Sequence, residues 1–129
     1  MADQEALLAR AREAAARAYA PYSNFRVGAA VLAGGSVYAA CNVENASYSL
    51  TLCAERNAIF QAVAAGHRRI EAMALACVDA TSGTEPGTAM PCGACRQVMA
   101  EFADPDMPVS VDRVRTFSLA ELLPLPFRL

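Results

Sequence analysis

Two short clusters, Cys53-Ala54-Glu55 and Pro91-Cys92-Gly93-Ala94-Cys95, constrain the fold of this 129-residue chain more than anything else in it. Together they hold three thiols and one carboxylate. Cys92 and Cys95, with two residues between them, can reach one metal ion unaided. Cys53 must be delivered from a distant part of the sequence. Each cluster opens a helix-patterned stretch, residues 52–65 and residues 92–102, which places all three cysteines in first turns. Helix N-termini carry partial positive charge and free N–H groups, which favour thiolate over thiol. A fold that satisfies both clusters brings two helix N-termini together on one ion.

The remaining pattern supplies a scaffold for that meeting. Residues 3–19 read as an amphipathic helix, with Leu7, Ala11, Ala14, Ala15 and Ala18 at helical spacing and Pro21 as its stop. Residues 25–33 and 36–43 read as a hairpin turning at Gly34-Gly35. Residues 44–50 form a polar connection, and Thr51 is the expected N-cap of the helix that Gly66 closes. Residues 70–78 are almost continuously apolar, as in a strand covered on both faces. A Thr-, Gly- and Pro-rich loop over residues 79–90 precedes the second cysteine cluster. Residues 109–111 form a short strand, and Ser118 with Glu121 reads as a capping box for a helix over residues 118–122. An apolar tail, residues 123–129, ends the sequence. Helices alternating with strands imply an α/β protein with helices on both faces of a mixed sheet. The length suits one domain, residues 1–129.

Composition excludes several function classes. The longest apolar stretch falls short of the ~20 residues a membrane-spanning helix requires. Residues 1–10 lack a basic start followed by an apolar run, so no secretory signal is expected. The five cysteines are an odd number, which fits free thiols in a reducing cytoplasm better than a disulfide framework. A net charge of −2, with no lysine, gives no cationic footprint for a nucleic-acid backbone. A small uncharged substrate is easier to reconcile with it. Yet 55% of the residues are hydrophobic and the mean hydropathy is +0.23. We read that surplus as surface buried against other subunits.

Three thiolates with a fourth position left open is the donor set of a catalytic zinc. Such a site carries net charge −1 before water enters. Arg56 is the expected donor that draws charge off the sulfurs and fixes their geometry. Glu55, two residues from a ligand, is the expected proton carrier: it takes a proton from water and returns it to the substrate. A closed structural zinc needs a fourth protein ligand. Cys41 and Cys77 lie inside expected strands and read as buried structural thiols. His67, the only histidine, reads as a surface residue with no claim on either cluster.

These residues resemble the small homotetrameric zinc-dependent cytidine deaminases over residues 19–127. The matching stretches are Tyr22-Ser23-Asn24-Phe25-Arg26-Val27-Gly28-Ala29-Ala30, Cys41-Asn42-Val43-Glu44-Asn45-Ala46-Ser47-Tyr48, Leu52-Cys53-Ala54-Glu55-Arg56 and Pro91-Cys92-Gly93-Ala94-Cys95-Arg96-Gln97. The resemblance implies a three-layer α/β/α sandwich with a mixed five-stranded sheet. It implies one zinc per subunit held by Cys53, Cys92 and Cys95, with Glu55 catalytic. It implies hydrolytic deamination of cytidine and 2′-deoxycytidine with release of ammonia. By position, Phe25 packs on the pyrimidine ring, Asn42 and Glu44 bind the sugar 3′-hydroxyl, and the Ala54 backbone meets the base edge. Ala46, Tyr48 and Phe127 complete the site of a neighbouring subunit. The alternatives are a deaminase of a cytosine-containing antibiotic, a deaminase of a base within nucleic acid, and a metal-stabilised binding module.

Overall fold

A computed structural model describes residues 3–81 and 83–129. Met1 and Ala2, at the start of the stretch read for a signal, and Ser82, in the 79–90 loop, lie outside the described residues.

Helix α1 (Gln4–Ala15) opens at Asp3, whose carboxylate accepts the Ala6 N–H at 3.2 Å. It stops short of the expected Tyr19. The Tyr19 N–H donates to the Asn42 carbonyl and the Tyr19 carbonyl accepts from Glu44, so this backbone is drawn to the strand side instead. Strands β1 (Val27–Ala33) and β2 (Ser36–Cys41) form the expected hairpin. Gly34 and Gly35 make its turn at φ 58° and 79°, a conformation that suits glycine. β1 begins two residues later than expected because the Arg26 N–H is taken by the Asp79 carboxylate at 2.7 Å. Next come α2 (Ala54–Ala64), β3 (Ala72–Cys77), α3 (Gly93–Phe102), β4 (Pro108–Val111), β5 (Arg115–Ser118) and α4 (Leu119–Leu122). Short 3-10 turns occupy Tyr48–Leu50 and Pro86–Ala89. The capping box on α4 is present, with Ser118 and Glu121 each accepting the other's backbone N–H.

The five strands form one sheet in the order β2-β1-β3-β4-β5, with β3 and β4 parallel and the other pairs antiparallel. Strand β5 is not legible in the sequence. It is short and polar, and becomes a strand only by pairing with β4 in register Val109↔Phe117.

Strand alternation divides the core in two. Ala30, Ala72, Ala74 and Ala76 face α1, where Leu7 and Ala11 pack on them. Small residues on both sides let the helix lie close to the sheet. Gly28 marks the closest approach, since a Cβ there would sit 1.8 Å from the Ala11 carbonyl oxygen. On the other face Val31, Met73, Leu75 and Val109 pack with Ile59 of α2, Met99 of α3 and Leu119 of α4. The result is the expected three-layer α/β/α sandwich with a mixed five-stranded sheet. β3 is buried along its whole length, as its continuous apolar run requires. Among the described residues no helix is long and apolar enough to cross a membrane.

Candidate active site

The two cysteine clusters meet where α2 and α3 begin, and α2 starts two residues and α3 one residue later than the sequence suggests. Leu52 exchanges both backbone hydrogen bonds with Val43, so it is extended and Cys53 becomes the N-cap of α2. Thr51, the expected cap, turns its hydroxyl to the Asn45 N–H at 3.0 Å. Cys92 is likewise the N-cap of α3, and only Cys95 lies in a first turn. Arg96 reaches back to the Pro91 carbonyl at 2.8 Å and fixes the chain just ahead of Cys92. Neither N-cap cysteine makes a side-chain capping bond, which leaves both sulfurs free for another partner.

The sulfurs of Cys53, Cys92 and Cys95 lie within 4.8 Å of one another, and Cys92 and Cys95 are 3.4 Å apart. A disulfide would bring two sulfurs to about 2.05 Å. A tetrahedral zinc with Zn–S bonds of about 2.3 Å places its sulfurs about 3.8 Å apart, so the cluster fits that ion. Among the described residues these three form the only group of three or more His, Cys, Asp or Glu side chains close enough to share a metal. The donor set supplies three ligands and leaves a fourth position to solvent or substrate.

The electrostatics match that use. Arg56 donates from Nη2 to the Cys53 sulfur at 3.1 Å. The Cys95 thiol and the Arg56 guanidinium draw the Cys53 thiol well below its ordinary value, while Cys95, as the donor, is pushed up. Glu55 is buried to 5% exposure, and that burial raises its carboxyl to about 7. A group poised there can both accept and release a proton near neutrality.

These residues open onto a cleft of about 290 Å³ that gathers most of the expected site. Cys53, Ala54, Glu55 and Cys92 line it together with Phe25, Asn42 and Glu44. Asn42 accepts the Val27 N–H and donates to the Phe25 carbonyl, both at 2.9 Å. One amide N–H and one oxygen lone pair therefore remain free. Glu44 accepts from the Tyr22 and Ser23 N–H groups at 3.0 and 3.1 Å and from the Ser23 hydroxyl. The Ser23 hydroxyl and these two N–H groups hold its carboxyl below the usual range.

Other expected residues lie elsewhere. Tyr48 lines an adjoining hollow of about 250 Å³, which shares Ser23, Glu44 and Thr51 with the cleft. Tyr48 is 78% exposed and Phe127 70% exposed, and within one chain neither Phe127 nor Ala46 lines the cleft. Gln97 brackets the Phe127 backbone, donating to its carbonyl at 2.9 Å and accepting its N–H at 3.1 Å. Cys77 is buried beside the cleft, and that burial pushes its thiol up to about 12. His67 is half-buried rather than a bare surface residue: Nε2 meets the Tyr38 hydroxyl at 3.0 Å, and the ring fills the space over Gly34.

Ser23, Thr88 and Met90 also line the cleft and carried no sequence assignment of their own. Thr88 and Met90 come from the loop of residues 79–90, whose composition gives no periodic signal. Ser23 lay inside a recognised stretch, but its partner Glu44 is 21 residues away.

Comparison with known proteins places this geometry in context. The family described as "Cytidine and deoxycytidylate deaminase zinc-binding region" matches residues 1–111. A cytidine deaminase of Sporosarcina psychrophila is 46% identical over 97% of this chain and 91% of its own. One from Mycobacterium tuberculosis is 44% identical over 98% of this chain and 91% of its own. The crystal structure of cytidine deaminase from Burkholderia pseudomallei superposes with a TM-score of 0.85 at 45% identity, covering 98% of this chain and all of that one.

Proposed function

The chain belongs to the cytidine and deoxycytidylate deaminase family, and on that premise we propose that it hydrolyses the 4-amino group of cytidine and 2′-deoxycytidine, releasing uridine or 2′-deoxyuridine and ammonia. One observation carries this reading: three sulfurs cluster at two helix N-termini, and two of them, of Cys53 and Cys92, line a cleft with a buried glutamate. The relatives are named cytidine deaminases, which favours the free nucleoside over a nucleic-acid base or an antibiotic.

In this reading Cys53, Cys92 and Cys95 hold the zinc, and Arg56 shares the charge of the Cys53 sulfur. Zinc bound there supplies a Lewis acid that acidifies water at its open position. Glu55 takes a proton from the attacking water and gives it to the ring nitrogen N3 as oxygen joins C4. Glu55 next takes the proton of the new C4 hydroxyl and delivers it to the departing amine, so that the C4–N bond breaks as the C4 carbonyl forms. Its burial keeps competing solvent from intercepting that proton.

Phe25 packs on the pyrimidine ring, and the Ala54 backbone meets the base edge. The free donor of Asn42 and the remaining acceptor of Glu44 take the sugar 3′-hydroxyl. An ionised Glu44 accepts a hydroxyl but repels a phosphate, so the nucleoside is preferred over its nucleotide. Ala46, Tyr48 and Phe127 serve the cleft of a neighbouring subunit in a homotetramer. The exposure of Tyr48, Leu125 and Phe127 supports that role, since a lone subunit leaves them in water. The reading further takes residues 1–129 as one domain, acting in the cytoplasm without nucleic-acid or membrane partners.

The test is the fall in ultraviolet absorbance of cytidine with purified protein, alongside metal analysis. Wild type turns over and carries one zinc per chain. Glu55→Gln keeps the zinc and loses roughly 10²–10⁴-fold in kcat. Undiminished turnover in that variant removes the proton-carrier role.

A further inference from the structure

The hydrogen-bond-accepting capacity of Glu44 is almost used up before any ligand arrives. A carboxylate offers about four acceptor positions. Oε1 takes the N–H groups of Tyr22 and Ser23, and Oε2 takes the Ser23 hydroxyl. One position on Oε2 remains, and Glu44 lines the cleft.

The Ser23 hydroxyl is itself held in direction. Its oxygen accepts the Phe25 N–H at 3.0 Å, so its own proton turns to Glu44. Asn24, between the two, adopts a left-handed φ of 57°, which asparagine tolerates better than most residues. Its N–H donates to the Ala20 carbonyl at 2.9 Å and closes the turn. One hydroxyl thus ties the Glu44 carboxylate to the backbone of Phe25, and both residues line the cleft.

We propose that Ser23 is a positioning residue for sugar recognition: by occupying one side of Glu44 Oε2 it aims the single remaining lone pair at a ribose hydroxyl. This deepens the proposed function and rests on its reading of Glu44 as the 3′-hydroxyl acceptor. Without the serine hydroxyl, Oε2 has two free positions and Glu44 rotates among them. The carboxylate remains, but its aim is lost. The effect belongs to substrates that carry the hydroxyl and not to those that lack it.

The test compares cytidine with 3′-deoxycytidine on wild type, Ser23→Ala, Ser23→Thr and Glu44→Gln, with zinc content and melting temperature measured for each. The readout is the ratio of kcat/KM for the two substrates. A directed hydrogen bond to a charged group sets that ratio, so in Ser23→Ala it falls about 10-fold, chiefly through KM for cytidine. Ser23→Thr, which keeps a hydroxyl, restores most of it. Glu44→Gln lowers the ratio at least as far. An unchanged ratio in Ser23→Ala, with Glu44→Gln still lowering it, overturns the positioning role alone. An unchanged ratio in Glu44→Gln overturns the sugar-acceptor reading, and the role of Ser23 with it. Equal losses on both substrates in Ser23→Ala mean a general disturbance of the turn and also overturn the proposal.

Discussion

Gly28→Ala offers a sharp test of how this sheet is covered. The new Cβ would lie 1.8 Å from the Ala11 carbonyl oxygen and 2.6 Å from the Ala15 nitrogen. Both are backbone atoms of α1, about one turn apart, so no rotamer change relieves the clash. The helix has to retreat by about 1.5 Å to reach ordinary contact distance. A radial gap of even 0.5–1 Å forfeits about a quarter to a half of each dispersion contact. The loss falls on the packing of Leu7 and Ala11 over Ala30, Ala72, Ala74 and Ala76. Overpacking costs about 1–3 kcal/mol where side chains can yield. Here only a whole helix can, so about 3 kcal/mol or more is expected. For a chain of this size that lowers the melting temperature by roughly 10 °C. Thermal and urea unfolding at one fixed protein concentration measure it. Gly35→Ala is the control: it meets nothing within 4 Å and carries only the strain of φ 79°, about 1–2 kcal/mol. A Gly28→Ala protein melting within about 2 °C of wild type would refute the close α1–sheet contact.

Arg56→Ala removes the donor to the Cys53 sulfur. Partners of metal ligands of this kind are worth about 10–100-fold in affinity, so zinc should pass to a competing chelator at correspondingly lower chelator concentration; unchanged competition would remove the charge-sharing role. The Asp79 carboxyl is held down to about 2 by the Arg26 side chain. Its native pKa lies below the unfolded value of about 3.9, so its contribution is fully present above that value and is lost as pH falls through about 2. The pair is exposed, so the effect is small and salt-sensitive. Denaturant unfolding should show wild type more stable than Asp79→Asn at pH near 6, with the gap closing in acid; a gap independent of pH would refute the assignment.

The parts of the site legible in the sequence are those whose chemistry demands particular residue types at particular spacings. Cys92 and Cys95 sit close enough to share an ion, and Cys53 and Glu55 flank one alanine. The α2 and α3 stretches were legible because their helical pattern is long. The exact helix starts were not. Cys53 becomes an N-cap because Leu52 pairs with Val43, a contact invisible to local pattern. Tyr19 leaves α1 for the same reason, drawn off by Asn42 and Glu44. Strand β5 has no apolar alternation to announce it and exists through its register with β4. Ser23 shows the limit most plainly: a serine in a turn is ordinary, and only the fold reveals that its hydroxyl faces Glu44.

Zinc K-edge X-ray absorption on protein that turns over cytidine tests the central claim most directly. The account predicts three sulfur scatterers at about 2.3 Å and one lighter atom from solvent or substrate in the remaining position. A fourth protein ligand, or an active preparation with no zinc edge at all, would contradict it.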